Sequence, residues 1–276
     1  MRWMPLTIDL LGTPAVAVGG RAVGPPRGRK AWGLLAYLLL ASVPPTRERL
    51  ASLLFPEAAD PLGAVRWNLA ELRRLLGPSV ELGGEPVRLT LPPDAVVDVQ
   101  VLVRASWVEA TRVPGLGHEL LEGVELRDSA AFEMWLLAER RRYAGIAASI
   151  LREAATARLA SGDPHSAIEL AARLVAIEEF DEEAHALLVR AYVAAGDAPR
   201  ARLQLTSSLG RLRRDLGMEP SAALLHALDY VALSPPSVSV GSGPTAIVAL
   251  IDAGRAAVCR RSSNPLPGRD GVQVTP

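Results

Sequence analysis

Ala157, Ala160, Gly162, Asp163 and Ala167 recur as Ala191, Ala194, Gly196, Asp197 and Ala201, each displaced by 34 positions. A period of about 34 residues is that of stacked helix pairs of the tetratricopeptide kind, in which neither pair can bury its apolar face alone. Small residues then fall where paired helices approach, and Gly-Asp falls at the turn between them. The second half of the chain is thereby constrained to be all-helical. Helices are expected over 129–161, 164–178, 182–195 and 198–214, with a further one starting near Ser221 and running to about Ala232.

The first hundred residues follow a different pattern. Leu6-Thr-Ile-Asp-Leu-Leu and Ala15-Val-Ala-Val read as short strands, and Arg21-Ala-Val returns as a third after Gly19-Gly20. Three helices come next: about Lys30 to Ser42, apolar on most sides; Arg47 to about Leu54, capped by Thr46; and Asp60 to Gly77. Ser79-Val-Glu-Leu, a Gly83-Gly84 turn and Val87-Arg-Leu-Thr-Leu then make a hairpin. Strands, three helices and a hairpin are the order of a winged helix–turn–helix with an N-terminal sheet. The fold class is therefore an α+β winged helix–turn–helix domain followed by an all-α tetratricopeptide-like repeat domain.

The third helix has a defined start and stop. Asp60 suits the N-cap and Pro61 the first helical position, while Gly77 and Pro78 end the helix. Val65, Leu69, Leu72 and Leu76 recur at helical spacing and form a stripe for burial. The opposite face is expected to carry Trp67, Ala70, Glu71 and Arg74, with Arg66 and Arg73 on one flank. Guanidinium groups so arranged suit phosphate oxygens and the acceptors of guanine, which fits a helix lying in a DNA major groove. The same pattern also fits a surface helix with a solvated charged face. Arg27, Arg29 and Lys30 crowd the start of the first helix, where cations oppose the macrodipole. A docked phosphate would offset this, and a solvated basic loop is the other reading. Arg88 lies on the return strand of the hairpin.

The formal net charge is zero, so nucleic-acid binding would have to come from a local patch. Lys30 is the only lysine and the remaining positive charge is arginine. Cys259, the single cysteine, excludes an intramolecular disulfide framework and a cysteine-based zinc cluster. No apolar run has the length of a signal peptide core or a bilayer span, so a cytoplasmic protein without membrane association is expected. His118, His165, His185 and His226 have no partner at metal-ligand spacing, and Gly115-x-Gly117 is too short for a nucleotide fingerprint. With no nucleophile-elbow signature either, no enzyme and no cofactor are expected.

Residues 1–99 resemble the OmpR-type winged-helix domain that opens regulators of the Streptomyces antibiotic regulatory protein (SARP) family. The likeness rests on Leu10-Leu-Gly, on the basic-then-leucine run from Arg27 to Leu40, on Arg47-Glu-Arg-Leu-Ala-Ser-Leu-Leu-Phe-Pro, and on Val65 to Gly77. Leu120-Leu-Glu-Gly, Trp135 with Arg140-Arg-Arg, and Asp215-Leu-Gly-Met-Glu-Pro-Ser are similar to the bacterial transcriptional activator domain that follows in the same family. The resemblance implies that the third helix enters the major groove and that the hairpin touches the neighbouring backbone. It sets Arg66, Trp67, Ala70 and Arg74 toward bases or phosphates and Arg73 near the backbone. Glu71 departs from the pattern. It also implies double-stranded DNA as partner, self-association on direct repeats, and RNA polymerase as a candidate contact of the helical part.

These readings divide the chain into a winged helix over 1–99, an activator domain over 100–233, and a linker and tail over 234–276. The tail begins with Pro/Ser/Gly-rich sequence, includes an amphipathic stretch from Thr245 to about Arg261, and is expected to be disordered or a truncated remnant. The expected function is a sequence-specific DNA-binding transcriptional regulator of activator type. The alternative is a tetratricopeptide-like scaffold whose winged helix does not bind DNA.

Overall fold

The computed structural model describes residues 5–230. The expectations for the linker, the Thr245–Arg261 stretch, the tail and Cys259 lie outside the described residues.

Three strands open the chain: β1 (Leu6–Asp9), β2 (Ala15–Val18) and β3 (Arg21–Ala22). Leu6 and Ile8 point into the core and alternate with half-buried Thr7 and Asp9, the period of a strand with one covered face. A fourth strand, β6 (Val96–Val97), completes the sheet in the order β3-β2-β1-β6 and lies parallel to β1, with Thr7 opposite Val96. β4 (Glu81–Gly83) and β5 (Arg88–Thr90) form a separate antiparallel hairpin.

α1 (Arg29–Leu40) is the centre of the N-terminal half. Its residues Ala31 to Ala36 are all buried, so it is packed on every side over that stretch. α2 (Arg47–Leu54) starts at Thr46, whose hydroxyl accepts from the Arg49 N–H at 3.1 Å. α3 (Pro61–Leu76) packs on both α1 and α2.

The stretch after β6 holds two helices, α4 (Asp98–Arg104) and α5 (Trp107–Ala110). Ser106 makes a new start, because its side chain and that of Glu109 form a reciprocal capping box. α6 (Ala130–Ala160) then runs 31 residues, about 46 Å at the α-helical rise. α7 (Pro164–Ile177), α8 (Glu182–Ala194) and α9 (Ala198–Arg211) come next as antiparallel neighbours. The Gly-Asp turns of the repeat form as its spacing predicts, while of its alanines Ala167, Ala191 and Ala201 are buried and Ala160 is exposed. Gly162 and Gly196 turn the chain at φ 77° and 75°, and Asp163 and Asp197 cap the next helix by accepting from Ser166 N and Arg200 N. Ala167, Ala184, Ala191 and Ala201 are fully buried, which lets these helices approach closely. After α9 the helix widens into a π-turn over Leu212–Leu216, and the segment after Ser221 is one α-turn, α10 (Ala222–Leu225), followed by a 3-10 turn to Asp229.

The described residues form one compact unit, with a large apolar core from Leu6 to Leu188 and a smaller second cluster built around Val189, Ala201, Leu205, Leu212 and Leu224. The winged-helix half and the helical half are tied at two places. Beyond β1 the chain continues along 119–122, with Leu121 N donating to Leu10 O at 2.8 Å and Gly12 N to Glu119 O at 2.8 Å. Asp98 fastens the same corner: Oδ2 accepts from Leu10 N and Leu11 N, each at 2.7 Å, and Oδ1 from Val99 N at 2.7 Å. Gly115 sits so close here that a β-carbon would meet Leu11 O at 2.6 Å. Arg140 turns inward from the charged run on α6, donating to the carbonyls of Leu120 and Leu121 and pairing with Glu119 at 2.9 Å. The second tie is Phe132, fully buried against Gly33 of α1, with Ser129 Oγ donating to Leu54 O at 2.8 Å.

Candidate nucleic-acid interface

α3 is held at its start by Asp60, whose Oδ1 accepts from Gly63 N at 2.8 Å. Val65, Leu69, Leu72 and Leu76 are buried as their spacing predicts, joined by Leu75 and Asn68. Asn68 Nδ2 donates back to Ala64 O at 2.9 Å. Arg66, Trp67, Ala70, Arg73 and Arg74 face outward along one side, and Trp67 is 50% exposed. A half-exposed tryptophan among arginines is an apolar plate at the centre of a cationic face.

Glu71 does not belong to that outward face, and this corrects the expectation. It is buried beside Leu72 and Leu75, with one oxygen accepting from the Arg27 backbone N–H at 3.3 Å and from Arg74 Nη2 at 2.9 Å. The Arg74 hydrogen bond, then the Arg27 N–H, hold its carboxyl below the usual glutamate range. Burial of Asn68 and Leu75 widens the covered side of α3 until it borders Glu71. Which border residue turns inward depends on the segment before α1 lying over it, and α3 alone does not carry that information.

Two arginines fix the hairpin, one from this helix and one from α2. Arg73 Nε donates to Leu82 O on β4 at 2.9 Å. Arg47 at the start of α2 reaches the turn, its Nη1 donating to Glu85 Oε2 at 2.7 Å and its backbone N to Oε1 at 3.2 Å. Arg73 is thus both an exposed cation and the clamp of the wing. Arg47 and Glu85 were not among the sequence candidates, since nothing local relates residues 38 positions apart. Arg88 is exposed on β5.

At the start of α1, Arg27 and Arg29 are exposed on either side of Gly28, which provides no side-chain cap. Lys30 departs from the expected convergence. Its ammonium is 2.6 Å from Asp128 Oδ2 and lies 4.9 Å from the Phe55 ring centroid, at the junction with α6. The Lys30 hydrogen bond keeps the Asp128 carboxyl below its ordinary range. The reason is again tertiary: the residues before α6 supply a carboxylate that the lysine meets before any phosphate could. The structure therefore brings together Arg66, Trp67, Ala70, Arg73 and Arg74 on α3, with the hairpin hydrogen-bonded to that helix, and Arg27 joined to it through Glu71.

Among the described residues no group of three or more histidine, cysteine or acidic side chains could hold a metal ion, and no helix is long and apolar enough to cross a membrane.

Residues 100–229 match the family model of the bacterial transcriptional activator domain. No curated protein matches the sequence. Among solved structures, Mycobacterium tuberculosis EmbR in complex with a low-affinity phosphopeptide is similar, with a TM-score of 0.56 and 19% sequence identity over 93% of this chain and 71% of that chain. At that identity the likeness is one of fold.

Proposed function

We propose that this chain, a SARP-like transcriptional regulator by its bacterial transcriptional activator domain and its EmbR-like architecture, acts by binding duplex DNA in a sequence-selective manner. The observation that carries the proposal is the outward side of α3, where Arg66, Trp67, Ala70, Arg73 and Arg74 share one face beside a hairpin fastened to the same helix. A helix of 16 residues presenting such a face suits the major groove, about 12 Å wide in B-form DNA. Arg66 and Trp67 would meet base edges or phosphates near the middle of the helix. Ala70 offers a methyl to thymine, Arg88 reaches the flanking backbone from the wing, and Arg27 and Arg29 supply phosphate contacts ahead of α1.

The helical half would provide the contacts that turn DNA binding into activation: a second copy on a direct repeat, and RNA polymerase as a candidate partner. Function as a DNA-bound activator places the chain in the cytoplasm in this proposal. No enzymatic step is assigned to it.

Selection of bound fragments from random DNA by the full chain, followed by titration of the selected fragment against salt, tests the proposal. The affinity is expected to fall steeply with added salt, because cations on α3 and the wing release counterions from the phosphates. No selected sequence, or a flat salt response, would instead favour a scaffold that works through its helical repeats alone.

A further inference from the structure

Glu71 and Arg74 form a pair whose geometry decides how Arg74 can be used. The Glu71 side chain is 11% exposed and that of Arg74 is 52% exposed, so the carboxylate lies behind the guanidinium as seen from solvent. One carboxylate oxygen, Oε2, accepts from Arg74 Nε at 3.3 Å and from Arg74 Nη2 at 2.9 Å. The same oxygen takes the Arg27 backbone N–H at 3.3 Å. The side edge of the guanidinium, Nε with the near hydrogen of Nη2, is therefore occupied. What remains is the end of the fork: the hydrogens of Nη1 and the outer hydrogen of Nη2.

A free arginine loses side-chain entropy when it is aligned on a target, and one already aligned by a buried carboxylate loses less. The pair is also close to neutral as a unit, so its pull on a phosphate is weaker than that of an arginine without an acidic neighbour. An end-on fork of fixed attitude and reduced net charge is poorly suited to grasping phosphate. It is well matched to the O6 and N7 acceptors that guanine presents side by side in the major groove.

We infer that Arg74 reads a guanine through its end-on fork, and that Glu71 is the positioning residue that makes this contact selective. The inference rests on the DNA-binding proposal above and adds to it one base, one reader and one buttress. The Arg27 bond ties the segment ahead of α1 to the same oxygen, so Glu71 also fixes the reader relative to the flanking cations.

Fragment selection with the full-length wild type, Arg74→Lys and Glu71→Gln provides the test, with melting curves recorded alongside. The wild-type motif is expected to contain a guanine preferred about five- to a hundredfold over other bases. Arg74→Lys keeps the charge but loses the fork, so this preference should collapse toward equality by a larger factor than any change in non-specific affinity. Glu71→Gln removes a negative charge, so non-specific affinity should rise while the same preference falls. Opposite movement of those two readouts is not what a merely loosened fold would give. A guanine preference unchanged in both variants, or an Arg74→Lys loss equal for all sequences, would overturn the inference while leaving DNA binding intact. A wild type that selects nothing sinks both, and its own titration reveals that before any variant is compared.

Discussion

Replacement of Asp98 by asparagine isolates one titration at the corner joining the winged helix to the helical half. Asp98 is 4% exposed, and burial pushes its carboxyl up from 3.8 to about 6, against three backbone N–H donors that favour ionisation and with the Asp9 charge adding to the rise. The folded chain therefore binds this proton more tightly than the unfolded one. The resulting stabilisation is fully present below pH 3.8 and is lost as pH rises through 6. A difference of 3.8 against 6 corresponds to about 3 kcal/mol in total, of which about 1 kcal/mol develops between pH 7.5 and pH 5. Asparagine does not titrate. Its amide N–H2 would also face the Val99 or the Leu10 and Leu11 donors, an offset of about 1–3 kcal/mol that does not vary with pH. Urea unfolding of wild type and Asp98→Asn at pH 5, 6 and 7.5, followed by circular dichroism, gives the difference directly. Carboxylates held below their ordinary range, such as Asp128 and Asp163, act in the opposite sense but are common to both chains and cancel. Wild type should gain on the variant by about 1 kcal/mol on going from pH 7.5 to pH 5. Parallel curves would refute the assignment of a raised, buried carboxyl at this corner.

Three other substitutions have defined expected outcomes. Phe132→Ala empties the fully buried site against Gly33 and Trp135, and calorimetry or urea melts should record a loss of about 3–5 kcal/mol. Gly115→Ala sets a β-carbon 2.6 Å from Leu11 O, so backbone has to shift and the same melts should fall by about 1–3 kcal/mol. Arg73→Ala removes the 2.9 Å bond to Leu82 O. The expected loss is about 1–2 kcal/mol, concentrated in faster amide exchange of β4 and β5, with α7 to α9 unchanged.

The parts of this fold that were legible in the sequence are those set by local period and turn chemistry. Val65, Leu69, Leu72 and Leu76 lie inward because a helix has only one geometry in which they can align. The Gly-Asp pairs at 162–163 and 196–197 mark real turns because glycine takes the left-handed conformation and aspartate caps the helix that starts there. Long-range pairing was not legible. β6 has two residues, too few for any alternation, and its partner β1 lies some ninety residues earlier. Lys30 looked like a phosphate ligand until Asp128 was brought to it by the packing of α6 on α1 and α2. Glu71 is the most instructive case. Counted from Val65, Leu69, Leu72 and Leu76 it falls on the opposite face, but burial of Asn68 and Leu75 widens the covered side up to it, where the carboxylate meets the Arg27 N–H. The candidate face thus keeps its arginines and its tryptophan, while the acidic residue expected among them turns inward onto Arg27 and Arg74.

Amide hydrogen exchange of the full chain, free and bound to its selected DNA fragment, tests the central claim most directly. Protection on binding should concentrate in α3 (Pro61–Leu76) and the hairpin from Glu81 to Thr90, with a smaller effect at the start of α1. Protection confined to α7, α8 and α9, with α3 exchanging as in the free chain, would contradict it.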